Sequence, residues 1–384
     1  MRILPQRRRH WFALALIPII CEGMRRLAQI AVRRPPTRSV QATTPRGCPV
    51  PHVIHRRIER VKPGRLIVVG DCHGCPELFR LLSSLGYDPA ADNLILSGDL
   101  VNKGPASLAV LDAVPQLQAM AVRGNHDDAV LEAWLAFRRG GESALSSKFE
   151  WVRHMNESQA AVLAELPFTV SVPEYGIAVV HAGLVPGLPL EQQDLWAMYK
   201  MRNLVRMEEQ EEEGGKAAAV EGGPGEGAMT HGSANGNGAA AIIADGRGER
   251  RTRYRPVEKA KEGGDPWATL WQGPPHVFFG HDAKRRLQLH PAATGLDTGC
   301  VYGGKLTAAV MPPLEQLRAR SPGFGAKMAA GQAVGREELM VELVSVPAAE
   351  VYSAPTATAP AGAAAAAVET VAAAVAVDGG KGHA

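Results

Sequence analysis

Leu66-Ile67-Val68-Val69-Gly70-Asp71-Cys72-His73-Gly74 is an apolar run that ends in a turn carrying a carboxylate and an imidazole. Four bulky residues in a row, with no polar alternation, predict a strand buried on both faces. The same arrangement recurs downstream. Asn93-Leu94-Ile95-Leu96 runs into Gly98-Asp99-Leu100-Val101-Asn102-Lys103-Gly104, and Met120-Ala121-Val122 into Arg123-Gly124-Asn125-His126-Asp127. Ile177-Ala178-Val179-Val180 ends in His181-Ala182-Gly183, and Val277-Phe278-Phe279 in Gly280-His281. Any one such ending reads as an ordinary turn. Five in order, each placing Asp, His or Asn beside Gly, do not.

Between these runs the apolar spacing changes to that of helices. Leu78, Leu81, Leu82 and Leu85 share one face, as do Val130, Leu131, Trp134 and Leu135. Strands alternating with helices predict an α/β layered sandwich. In such sheets the strand C-termini converge on one edge, where ligands bind. Carboxylates, imidazoles and an amide oxygen gathered there suit divalent cations of the manganese, iron or zinc type.

These motifs, G-D-x-H-G, G-D-x-x-x-x-G, G-N-H-D, H-A-G and G-H in that order, resemble those of the calcineurin-like metallophosphoesterases and the phosphoprotein-phosphatase superfamily. The resemblance covers residues 65–205 and 265–313. Within it, Gly70 to Cys75, Val122 to Asp128 and Gly295 to Gly303 are similar to the ApaH group of symmetrical dinucleoside tetraphosphatases, and the Gly98–Pro105 stretch to ApaH-like phosphatases. The resemblance implies an αββα sandwich with two mixed β-sheets flanked by helices. It also implies two divalent ions and hydrolysis by a hydroxide bridging them. One ion would be held by Asp71, His73 and Asp99, the other by Asp99, Asn125, His181 and His281. His126 would act as general acid, oriented by Asn102, with Lys103, Arg123 and Arg202 as phosphate contacts. The implied substrates are dinucleoside polyphosphates, polyphosphate or capped RNA. Where phosphoprotein phosphatases carry Asp-Arg, this chain has Asn102-Lys103. Asn supplies no charge to the histidine, and Lys is a point charge rather than a fork. That difference weighs against a serine/threonine-type protein phosphatase, which together with a small-molecule phosphomonoesterase is the alternative enzyme reading. A non-catalytic metal-binding scaffold, the alternative of another class, would show degenerate ligands.

The outlying sequence differs in kind. Residues 1–50 hold ten Arg, no Lys and one acid, Glu22, so the rest of the chain is net acidic and has no sequence mark of a nucleic-acid surface. The apolar run Trp11–Cys21 falls short of the ~20 residues that a membrane-spanning helix needs. An Arg-rich, acid-poor segment over residues 1–46 reads as a transit peptide for a chloroplast or mitochondrion; a signal anchor or an untargeted cytoplasmic tail are the alternatives. Residues 55–352 form the expected phosphoesterase domain. Within it, 207–264 passes from acidic clusters through Gly/Ala/Asn to a basic cluster and is expected to be a disordered insertion. Residues 353–384, rich in Ala, Val and Gly, are expected to be a disordered tail. Five cysteines are too few for a disulfide framework, and Cys72-x-x-Cys75 has no second C-x-x-C to complete a zinc knuckle.

Overall fold

The computed structural model describes residues 43–207, the backbone of Ala241–Ile242, and residues 253–354. In chain order the strands are β1 (His55–Arg57), β2 (Leu66–Val69), β3 (Asn93–Leu96), β4 (Met120–Ala121), β5 (Thr169–Val172), β6 (Ile177–Val180), β7 (Asn203–Met207) and β8 (Ala241–Ile242). They continue with β9 (Arg253–Val257), β10 (Asp265–Pro266), β11 (His276–Phe279), β12 (Gln288–Leu289), β13 (Ala293–Gly295), β14 (Lys305–Met311) and β15 (Glu342–Pro347). All five strands expected from the apolar runs are present. One sheet has the order β15-β14-β2-β3-β4, with β2, β3 and β4 parallel and β14 and β15 antiparallel. A second has the order β1-β5-β6-β11-β13-β12, with β6, β11 and β13 parallel. Both of these sheets are mixed, as expected; a third, antiparallel sheet of order β10-β7-β9-β8 was not expected.

The pleat decides which core each side chain joins. On β2, Leu66 and Val68 turn toward Val170, Ile177, Val179 and Phe278 of the second sheet, and this closes the sandwich. Ile67 and Val69 turn the other way, against helices Glu77–Ser84, Ser107–Gln116 and Asn125–Gly140. Helix Glu77–Ser84 presents Leu78, Leu81 and Leu82 to that layer, the face read from the sequence. Each such leucine contributes about 1.5–3 kcal/mol relative to an exposed one. The outer face of the second sheet packs Val277 and Phe279 on Tyr199 and Trp267.

Three boundary expectations are corrected. The proposed insertion over 207–264 is narrower, because Met207 ends β7 and Arg253–Val257 forms β9 in register with it, Asn203 opposite Val257. Tyr254 and Val257 are buried there, so those residues do supply the apolar surface that ordering requires. The N-terminal segment does not extend to 46: Thr44 is buried and donates to Asp128 at 2.7 Å. The tail begins after Ser353, whose amide donates to Val301 O at 3.0 Å. The rest of those expectations, over 1–42, 208–240, 243–252 and 355–384, lies outside the described residues. Among the described residues no helix is long and apolar enough to cross a membrane.

Candidate metal centre

Parallel pairing brings the ends of β2, β3 and β4 side by side in one sheet, and the ends of β6, β11 and β13 side by side in the other. Asp99, at the end of β3, stands between the two. Its Oδ2 lies 3.5 Å from His73 Nε2, and its Oδ1 lies 3.4 Å from His181 Nε2. Two three-residue groups share it, Asp71–Asp99–His181 and His73–Asp99–His126, each with donor atoms within 4.8 Å of one another. Asn125 joins the first through Oδ1, 3.2 Å from His181 Nε2. His281 is held beside it: its ring centroid is 5.0 Å from that of His181, and its backbone N–H donates to Asp71 Oδ2 at 2.9 Å. All six expected metal ligands therefore come together.

The backbone here is constrained. His73, Asp99, Asn102, Lys103 and His281 all adopt positive φ, between 48° and 80°, where non-glycine residues are uncommon. Such conformations persist only when their surroundings over-determine them, and they cluster at functional sites. Gly280 is required by proximity, since a Cβ there would overlap the Asp71 carboxylate. Asp127, a residue the sequence reading passed over, ties the loops together. Its Oδ1 accepts from Leu100 N at 2.8 Å and its Oδ2 from Gly124 N at 2.9 Å.

Hydrogen bonds settle which imidazole nitrogen is free. His181 Nδ1 meets Ser97 O at 2.9 Å, His73 Nδ1 meets Val101 O at 3.4 Å, and His281 Nε2 meets Lys200 O at 2.9 Å. A carbonyl can only accept, so each of these nitrogens carries the proton and the other presents a lone pair. The consequence is a cluster of acceptors facing acceptors: His181 Nε2, Asn125 Oδ1 and Asp99 Oδ1, with His73 Nε2 against Asp99 Oδ2. A cation between them resolves that conflict, and a nitrogen–oxygen donor set suits a borderline divalent ion. The residues present fit a dinuclear metal centre.

The electrostatics agree. Burial, then the neighbouring Asp297 and Asp99, push the Asp71 carboxyl well above its usual range, and burial raises Asp99 to about 6. Burial lowers His181 to about 4, and burial with the Lys103 and Lys148 charges lowers His126 to about 2. These are groups whose charge balance depends on what they bind.

Among the remaining expected residues, Asn102 lies 2.9 Å from His126 Nδ1 through its amide nitrogen, as expected. Lys103 Nζ is 3.2 Å from His73 Nε2 and 2.9 Å from the Tyr302 hydroxyl, inside the site. Arg202 reaches the edge, donating to His281 O at 3.2 Å, but Glu258 and Asp282 already balance its charge. Arg123 is a correction. It is fully buried and donates to Pro49 O, Ala164 O and Asp128, stacked 5.6 Å from the Phe168 ring, so it faces away from any phosphate. The sequence reading also missed Asp297 and Lys148. Asp297 lies in the quoted Gly295–Gly303 motif directly after β13, which was a usable signal. Lys148 is close enough for its charge to act on Asp99 and His126, and nothing local to its sequence announced that.

The profile of the calcineurin-like phosphoesterases matches residues 64–285, which span every one of these ligands. The chain belongs to that family. This phosphoesterase is 31% identical over 271 residues to a protein of Aromatoleum aromaticum named bis(5'-nucleosyl)-tetraphosphatase, symmetrical; the match covers 63% of the chain and 92% of the relative. It is 25% identical over 269 residues to bis(5'-nucleosyl)-tetraphosphatase PrpE [asymmetrical] of Halalkalibacterium halodurans, covering 65% and 90%. A crystal structure described as a candidate diadenosine tetraphosphatase aligns with a TM-score of 0.52 at 29% identity, covering 77% of this chain and 99% of the other. As a member of the family, this phosphoesterase is a metal-dependent hydrolase.

Proposed function

We propose that this phosphoesterase hydrolyses phosphoanhydride bonds in dinucleoside polyphosphates, with the tetraphosphates as the leading substrates. The observation that carries the reading is Asp99 standing within 3.5 Å of imidazole nitrogens from two different sheets, with a lysine in the same site. Relatives named both symmetrical and asymmetrical tetraphosphatases support the substrate class.

Asp71, His73, Asp99, Asn125, His181 and His281 would hold two ions of the manganese, iron or zinc type. Bound there, such ions neutralise phosphoryl oxygens and make water a nucleophile at neutral pH. The chain's own residues do the rest. With the Asn102 amide donating to His126 Nδ1, the ring proton is left on Nε2, directed at the site. From there the neutral His126 donates a hydrogen bond to the departing phosphate oxygen and stabilises the charge that develops on it; that oxygen leaves as phosphate anion and takes any proton from water. Lys103, anchored by Tyr302, supplies a point charge that does not demand the planar geometry an arginine fork imposes on a terminal phosphate. That suits the interior of a phosphate chain.

The test is hydrolysis by purified enzyme with Mn, Mg or Zn, comparing a dinucleoside tetraphosphate with polyphosphate, capped RNA and a phosphopeptide. The tetraphosphate should give the highest kcat/KM; preference for the phosphopeptide would reject the substrate class. Asp99→Asn and His281→Ala should each abolish hydrolysis and lower metal content. Unchanged metal content in both would reject the ligand assignment.

A further inference from the structure

Cys75 finds no partner in its own C-x-x-C, but the fold gives it one. Cys300, which lies three residues beyond Asp297 in the turn before β14, brings its thiol within 4.8 Å of that of Cys75. Glu77 completes the group: Cys75, Glu77 and Cys300 each bring a donor atom, all within 4.8 Å of one another. The three side chains are at most 1% exposed.

The carboxylate is half satisfied. Glu77 Oε1 accepts from Ala349 N at 2.7 Å and from the Tyr352 hydroxyl at 3.1 Å, and Arg80 stands 3.5 Å from it. Oε2 is buried and has no hydrogen-bond partner. A buried carboxylate oxygen without a donor is costly, and native structures rarely leave one. Glu77 belongs to a group whose other members are two thiols, weak donors that become strong ligands once deprotonated.

We propose that Cys75, Glu77 and Cys300 form a second cation site, separate from the phosphoesterase centre, that takes a thiophilic divalent ion such as zinc. Two sulfurs and one oxygen suit zinc, whereas the nitrogen–oxygen set around Asp99 also accommodates harder ions. Three side chains and one water make the four-coordinate shell usual for zinc. Binding converts both thiols to thiolates and releases two protons, so the ion with two thiolates and one carboxylate leaves a single negative charge near Arg80. The site joins three stretches of chain: the turn after β2 that carries Asp71 and His73, the turn after β13 that carries Asp297, and the residues after β15. It does not depend on which phosphate ester is cleaved.

The test uses the full-length, metal-replete enzyme and its cobalt(II)-substituted form. Metal analysis should give one equivalent more for wild type than for Cys300→Ser. Cobalt-loaded wild type should show a near-ultraviolet sulfur-to-cobalt charge-transfer band, which nitrogen and oxygen ligands cannot produce; Cys300→Ser should lose it and Asp99→Asn should keep it. Should Cys300→Ser fold poorly, Glu77→Gln should still lower the affinity for the extra ion while both sulfurs remain. Absence of the band in cobalt-loaded wild type overturns the proposal. So does a Cys75–Cys300 disulfide found by mass spectrometry in the metal-replete protein. Loss of hydrolysis in Asp99→Asn with the band intact would show the two sites to be independent.

Discussion

Replacing Arg123 by Met should cost stability and leave the chemistry alone. Arg123 is 0% exposed, and its guanidinium donates to Pro49 O at 3.0 Å, Asp128 Oδ1 at 3.3 Å and Ala164 O at 2.5 Å. Without it Pro49 O and Ala164 O lose this donor, and the buried Asp128 carboxylate loses its guanidinium partner while keeping the hydrogen bond from Thr44. Removing one partner of a buried ion pair costs about 3–5 kcal/mol. For a chain of this size that lowers Tm by roughly 10 °C, because each kcal/mol is worth about 2–4 °C. Thr44→Val removes one hydrogen bond to the same carboxylate and should cost about 1 kcal/mol. The two effects should not add, since both act through Asp128. The assay is urea unfolding of the metal-loaded protein, with kcat/KM measured well below the transition. A residue that gripped phosphate would behave in the opposite way. An unchanged unfolding midpoint with kcat/KM down by more than about tenfold, or 1.4 kcal/mol of lost transition-state binding, refutes the structural role.

Gly280→Ala should push a methyl group into the Asp71 carboxylate, so metal affinity and kcat should both fall sharply while the circular dichroism spectrum is kept; full activity would mean that this loop yields easily. His276 is buried and neutral between Val334 O and Thr294 Oγ1, and burial holds its pKa down to about 4 against 6.5 when free. The unfolded chain therefore binds the extra proton between those values, and stability should be lost as pH drops from about 6.5 to about 4, by up to about 3 kcal/mol. His276→Gln should flatten this slope relative to wild type in denaturation at pH 7 and pH 4.5; equal slopes contradict it. Excising residues 208–240 should leave kcat/KM within about twofold, whereas extending the cut through 257 should destabilise the protein, since it removes β9. Equal stability of the two deletions would contradict the pairing of β7 with β9.

The ligand set was legible in the sequence because each ligand is tied to local grammar: a buried strand, a glycine, then the chemistry. Chain order supplied the rest, since parallel strands place their ends together. Arg123 was misread for the same reason. It adjoins Gly124 and Asn125, and adjacency in sequence says nothing about which way a side chain leaves a strand end. Asp297 belongs to the site only through the pairing of β11 with β13, and Lys148 only through the packing of its helical turn near the catalytic loops. Both are long-range facts. The strand at Arg253–Val257 did leave a local trace, an alternation of Arg with Tyr and Pro, but the basic composition around it concealed the period. Cys75 and Cys300 are 225 positions apart, and no spacing rule links them.

The contact between Thr44 and Asp128 sets how far the chain can be shortened toward the domain. Thr44 and Cys48 fasten the segment ahead of β1 to the first turn of the helix that carries Asn125 and His126. A truncation that took Thr44 away would strip that fastening from the helix, so the stretch beginning there belongs to the architecture of the enzyme.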